Sequence, residues 1–262
     1  MSTFRKVRAG AGGEYYRAEA AGLRWLSAAA SCPVPDVVSV ADDCLIIQRV
    51  PTGSATPSAA RRFGGQLARL HLSGAQAFGS PPPQAPEGGW IADLPMAFGQ
   101  FTSFGPMYAQ LRVLPYVEMA QASGVFSESQ CATFEELASA LMADDPRLVG
   151  PPEPASRLHG DLWDGNVLWS TDVSGDSTGW LIDPAAHGGH RETDLAMLAL
   201  FGAPHLAVIL AGYHAAAPLA AGWRSRLDLH QVYPLLVHSV LFGGDYPARA
   251  HAAAARALRA LH

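Results

Sequence analysis

Along residues 14–30 apolar positions recur at Tyr16, Ala20, Leu23 and, one turn on, Leu26 or Ser27, the spacing of one buried helix face, and Cys32-Pro33 closes the segment. CLIIQRVP, residues 44–51, is a short β-branched run ended by Pro51 and Gly53, which predicts a buried strand followed by a connector. Pro57 then opens a helix to about Ala75, with Phe63, Leu67, Leu70 and His71 on one face. Two Pro-rich breaks, 79–89 and 150–156, flank a helix over 127–142, for which Ser127 and Gln130 form a capping box. Alternation returns in VLW (167–169) and WLID (180–183), separated by the polar turn 171–179, and predicts a β-hairpin. Beyond it the segments 193–202, 205–217, 228–242 and 246–261 read as Ala/Leu-rich helices. The pattern predicts a small N-terminal α/β piece, residues 1–50, and a larger, mainly helical piece, 51–262, carrying one hairpin.

Composition narrows the function. With 262 residues, 49% hydrophobic and a net charge of −5, the chain can bury a core and offers no basic surface for nucleic acid or an anionic membrane. Leu195 to Trp223 carries no charge over 29 residues, but Gly202, Pro204, Gly212 and Pro218 interrupt it, so it reads as two buried helices rather than a membrane span. Cys32, Cys44 and Cys131 are too far apart for a C-x-x-C pair, and MSTFRKVRAGAGGEYYRAE has no apolar run of a secretory signal. A cytoplasmic location is expected; the sequence assigns no oligomeric state. The basic residues are seventeen Arg and one Lys, Lys6, and Asn occurs once, at Asn166.

Both rare residues fall where chemistry is expected. RLHGDLWDGNVLW (157–169) contains H-x-D-L-x-x-x-N, namely His159, Asp161, Leu162 and Asn166, and the hairpin returns the chain so that Asp183 faces them. Phosphoryl transfer needs this set: a carboxylate to accept the substrate hydroxyl's proton, and a carboxamide oxygen with a second carboxylate to hold Mg²⁺ against a triphosphate. It also needs a Lys paired to a helical Glu, and Lys6 with Glu19 fits. Other matches are weaker. Gly175 to Gly179 satisfies G-x-S-x-G, but a strand follows it where a nucleophile elbow needs a helix, so it reads as a turn. His187 and His190 are a poor metal pair, GAGG (10–13) lacks a third glycine, and it reads as a linker.

HGDLWDGNVLW, DPAAHGGHRETDLAMLALFG, GWRSRLDLHQVYPLLVH and LFGGDY together resemble the fructosamine (ketosamine) 3-kinase family, and YRAEAAGLRWL, FGGQLARLH, GWIADLPM and LRVLPY extend the resemblance over nearly the whole chain. It implies an α+β, bilobal protein-kinase-like fold and ATP-dependent phosphorylation of the sugar 3-hydroxyl of a ketosamine small molecule or glycated amine or protein, a deglycation step. On this chain it makes Asp161 the base, Asn166 and Asp183 the Mg²⁺ ligands, Lys6 and Glu19 the phosphate-holding pair, and Gln48, Arg49 and Val50 the adenine-binding hinge. Trp163, His187, Arg191 and Trp223 become candidates near the sugar, Trp223 alternatively being core and Arg191 a structural ion pair. Only five residues precede Lys6, where the family has a strand, a glycine-rich turn and a second strand. A truncated N-terminal lobe is therefore expected. The alternatives are a pseudokinase-like nucleotide-binding protein and an aminoglycoside- or choline-type phosphotransferase.

Overall fold

A computed structural model describes residues 2–261. The chain opens with β1 (Thr3–Lys6) and α1 (Gly13–Ser27), then β2 (Val37–Val40) and β3 (Leu45–Gln48), in a three-stranded antiparallel sheet of order β1-β3-β2. Leu45 and Ile47 alternate inward along β3, and α1 buries Tyr16, Ala20, Leu23 and Leu26, the predicted face, while Ser27 stays exposed. Helix α2 (Pro57–Leu72) starts on a Thr56 side-chain cap and Pro57, ends three residues before the predicted Ala75, and buries Phe63, Leu67, Leu70 and His71.

The next segment holds a feature absent from the sequence reading. After the Pro-rich loop, β4 (Gly89–Ile91) and β5 (Leu94–Met96) form a hairpin whose Trp90 meets Tyr15 of α1 edge-on. Helices α3 (Phe104–Tyr108), α4 (Leu114–Ala122), α5 (Glu128–Met142) and α6 (Pro146–Val149) follow, with a π-helical turn at Ala109–Val113 between α3 and α4. The Ser127/Gln130 capping box of α5 is formed.

The region beyond is not all helix. β6 (Ser156–Leu158) pairs with β9 (His187–Gly189), and β7 (Val167–Thr171) with β8 (Ser177–Leu181), so the larger part carries two hairpins and an added ladder rather than one hairpin. The β7–β8 turn is shorter than 171–179, because Asp172 Oδ1 accepts the Ser174 and Asp176 amides and closes it over 172–176. The G-x-S-x-G match is thus part of this turn and of β8. Helices α7 (Glu192–Leu200), α8 (Leu206–Ala216), α9 (Leu227–Phe242) and α10 (Tyr246–Leu258) complete the chain.

Two apolar clusters organise these elements. One joins α1, β3, α2, α7 and α8 through residues such as Leu23, Phe63, Leu198 and Tyr213; the other joins α3, α4, α5, α9 and α10 through Tyr108, Phe134, Leu236 and Ala254. Leu162 and Leu181 belong to the first and Ala185 and Tyr233 to the second, so the segments bearing Asp161 and Asp183 run along the seam between them. Among the described residues no helix is long and apolar enough to cross a membrane.

Candidate active site

Strand pairing brings the site together. β6 and β9 place Leu158 opposite His187, β7 and β8 place Val167 opposite Leu181, and the Ile182 amide donates to the Asn166 carbonyl at 3.1 Å. The loop 159–166 and residues 183–186 are therefore held side by side by backbone hydrogen bonds. Gly160 has a φ of +84°, and a Cβ there would fall on the Ala185 carbonyl, so only glycine permits this approach. Asp183 lies two residues past β8 in the left-handed region, at φ +54°, which turns it out of the strand direction.

Asn166 donates through Nδ2 to the Asp161 carbonyl (2.8 Å) and to Asp161 Oδ2 (2.9 Å). Both amide protons are thereby used, and the Asn166 carboxamide oxygen stays available as a cation ligand. Burial pushes the Asp161 carboxyl up to about 7; the Asn166 bond opposes this, and the charges of Asp183 and Asp194 reinforce it. On the opposite side, Lys6 Nζ contacts the Glu19 carboxylate and lies 2.6 Å from Asp183 Oδ1. Burial alone would lower the Lys6 ammonium, but the two carboxylates hold its pKa above the ordinary value. Burial raises that of Glu19 against the pull of Lys6. Lys6, Glu19, Asp161, Asn166 and Asp183 line one cavity of about 280 Å³. Three carboxylates, a free carboxamide oxygen and an ammonium in one cleft suit a divalent cation and a polyphosphate.

A buried network that the sequence reading missed supports this loop. Asp194 on α7 accepts the His159 amide (2.8 Å), the Gly160 amide (3.0 Å) and the His71 ring Nε2–H (3.1 Å), while His71 Nδ1 accepts the Tyr213 hydroxyl (2.8 Å). Burial disfavours the Asp194 charge, but these donors, led by His71, hold its pKa below the usual carboxylate range. His159 donates from Nε2 to the Ile182 carbonyl at 2.8 Å and accepts the Asp161 amide at Nδ1, tying the Asp161 and Asp183 segments through one ring. The available signal for Asp194 was a second acid in the first turn of a helix that is apolar beyond it. Hairpin β4–β5 was also missed; Arg8 joins it, donating to the Ala92 carbonyl and pairing with Asp93.

Other predicted residues fare differently. Trp163 lines the cavity, 41% exposed. His187 does not line it: it is buried, donates Nδ1–H to the Ala185 carbonyl, and burial lowers its pKa to about 3. Arg191 is spent on a two-point ion pair with Glu153, 2.6 Å at each nitrogen, and Trp223 is buried in the first apolar cluster. Both follow the structural alternative. Gln48, Arg49 and Val50 also lie outside the cavity lining, and the amides of Gln48 and Arg49 already donate to Asp36 and Ser2 carbonyls. His190 joins not His187 but Glu192 and His230 in a buried cluster, where Arg226 already neutralises Glu192 through bonds of 2.9 and 2.6 Å.

Comparison with known proteins bears on the family and the fold. The model of the fructosamine kinase family matches residues 1–260. A "probable ketoamine kinase" of Lactiplantibacillus plantarum is 32% identical over 234 residues, covering 88% of this chain and 78% of that protein. The crystal structure of a candidate fructosamine-3-kinase from Thermobifida fusca superposes with a TM-score of 0.88 at 44% identity, over 98% of this chain and 85% of that one. An aminoglycoside phosphotransferase crystallised with ADP and hygromycin B aligns with a TM-score of 0.59 at 19% identity, over 98% of this chain and 86% of that one, and shares the protein-kinase-like fold. Matched by the family model nearly end to end, this α+β chain belongs to the fructosamine kinase family, phosphotransferases that act on an alcohol group.

Proposed function

We propose that the protein transfers the γ-phosphoryl group of ATP to the 3-hydroxyl of a ketosamine sugar, destabilising the adduct so that the amine is released. The observation that carries this reading is the convergence of Asp161, Asn166 and Asp183 with the Lys6–Glu19 pair in one cavity. Asp161 accepts the proton of the attacking hydroxyl; its position beside Asn166 Nδ2 aims one carboxylate oxygen, and its raised pKa matches a base working near neutrality. The Asn166 carboxamide oxygen and the Asp183 carboxylate would hold Mg²⁺, which would neutralise phosphate charge. Lys6, fixed by Glu19, turns from Asp183 toward the α- and β-phosphates. Trp163 offers the sugar an aromatic face. The nucleotide enters between residues 1–50 and 51–262, with Gln48 to Val50 marking the division; their two bonded amides leave the adenine contact to other groups of that segment.

The test is ADP release by this chain with Mg·ATP and ribulosyl-lysine, with the phosphate position read by NMR of the product. Turnover above the rate without acceptor and a 3-phosphate are expected. Nucleotide binding without acceptor-dependent ADP release would overturn the reading.

A further inference from the structure

Arg112 is among the largest fully buried side chains, 1% exposed, and has no carboxylate partner among the ion pairs of the described residues. It sits in the π-helical turn Ala109–Val113, an irregularity that inserts an extra residue into a helix and recurs at functional positions. One terminal nitrogen, Nη1, donates to the Ala97 carbonyl (2.9 Å) and to the Leu111 carbonyl (3.0 Å). Nε and Nη2 have no acceptor among the described residues. These two nitrogens share one edge of the guanidinium, the edge that binds two oxygens side by side. The edge is thus buried, charged and unpartnered, a combination a fold keeps out unless something else satisfies it.

Its neighbours tell what that could be. The guanidinium stands 5.5 Å from the Tyr233 ring centroid, and Tyr233 lines the cavity within electrostatic reach of Asp161. Ala97, which takes Nη1, lies between Met96 and Phe98, and both of these line the same cavity. Nearby hydroxyls are committed elsewhere: Tyr108 donates to the Leu229 carbonyl and Tyr116 to the Pro95 carbonyl. Arg112 therefore stands directly behind the wall made by Met96, Phe98 and Tyr233.

We propose that Arg112 anchors the phosphoryl acceptor by binding two adjacent oxygens of it through Nε and Nη2. A ketosamine carries such a pair in two places, two neighbouring hydroxyl oxygens of the sugar beyond the reacting 3-hydroxyl and the carboxylate of a glycated amino acid; the proposal rests on the ketosamine reading above. Arg112 does not itself line the cavity, so the acceptor reaches the edge when the side chains of Phe98 and Tyr233 part, and no covalent step involves Arg112.

The experiment uses the whole chain with Arg112→Lys, which keeps charge but loses the fork, and Arg112→Met, which keeps bulk but loses charge. Urea melts check folding, and ADP release is measured with the ketosamine of glycine and with that of methylamine. A rise of about tenfold or more in acceptor KM, with the KM for ATP within about twofold, is expected for both variants. The rise on both acceptors assigns the sugar oxygens; a rise on the glycine adduct alone assigns the carboxylate. Folded variants with acceptor KM values within about twofold of wild type would overturn the proposal. If neither variant folds, a co-crystal of the wild type with the glycine ketosamine decides: acceptor oxygens within about 3.2 Å of Nε and Nη2 support it, and their absence there refutes it. Wild-type chain without any acceptor-dependent turnover fails the ketosamine reading itself, and the same co-crystal then tests Arg112 separately.

Discussion

Replacing Asp194 by Asn tests whether the buried network sets the geometry of the loop bearing Asp161. The side chain is 1% exposed and its two oxygens take three N–H donors: Oδ2 those of His159 and His71, Oδ1 that of Gly160. Asn has one acceptor oxygen. Placed at the Oδ2 position it keeps two bonds, now to a neutral oxygen, and its NH₂ meets the Gly160 N–H. Losing that bond and burying two opposed donors costs about 1–3 kcal/mol, and weakening two charge-assisted bonds adds about 1–2 kcal/mol. The total, about 2–5 kcal/mol, corresponds to a Tm lower by roughly 5–15 °C in a chain of this size. Because Asp161 directly follows Gly160, kcat is expected to fall at least about tenfold while the KM for ATP changes little. The assay pairs thermal unfolding with acceptor-dependent ADP release. A Tm loss under about 3 °C together with kcat within about threefold would refute the assignment of Asp194 as the residue that positions the loop.

Three further outcomes follow from the same structure. Asp161→Asn abolishes turnover and leaves nucleotide binding nearly intact; kcat above a few per cent of wild type contradicts its role as base. Since the base must be ionised and burial holds Asp161 near 7, kcat/KM should climb with pH up to about 7 and level off above it, whereas a flat profile between pH 5.5 and about 7 would contradict the raised carboxyl. On the stability side, buried His187 and His190 stay neutral down to about 3, so unfolded chains gain protons first as pH falls below the ordinary histidine value of about 6.5. Glu192, held down to about 2 by His230 and Arg226 against its burial, adds a second loss below about 4.5, so Tm should drop in both windows; constant Tm from pH 7 to about 4 contradicts this.

The legible part of the site was the part written locally. His159, Asp161 and Asn166 fall within eight consecutive positions, and the hairpin that returns Asp183 is visible as two apolar runs around a polar turn. Lys6 and Glu19 stood out because a Lys is rare in this chain and because the catalytic loop gave it a purpose. Helices α1, α2, α5 and α7 to α10 were equally readable, since 3.6-residue periodicity and caps such as Ser127 act within a few residues, whereas the short helices α3, α4 and α6 were not read. The strands β1, β2, β4, β5, β6 and β9 were not read, because three or four residues such as Gly89–Ile91 or His187–Gly189 are too short for alternation to register.

The sequence by itself determined the order of the main helices, the acidic loop and the family. Tertiary structure alone decided which side chains those elements share. Asp194 and His71 lie 123 positions apart, and Arg112 and Tyr233 are separated by a similar stretch of chain; a carboxylate in the first turn of a helix and an Arg in an apolar segment acquire partners only when the helices within each core close on one another. The same closure withdrew His187, Arg191 and Trp223 from the cavity, because burial and a nearby carbonyl or carboxylate satisfied them first. Pattern along a chain reports which face a residue shows to its own element; only packing reports what stands opposite it.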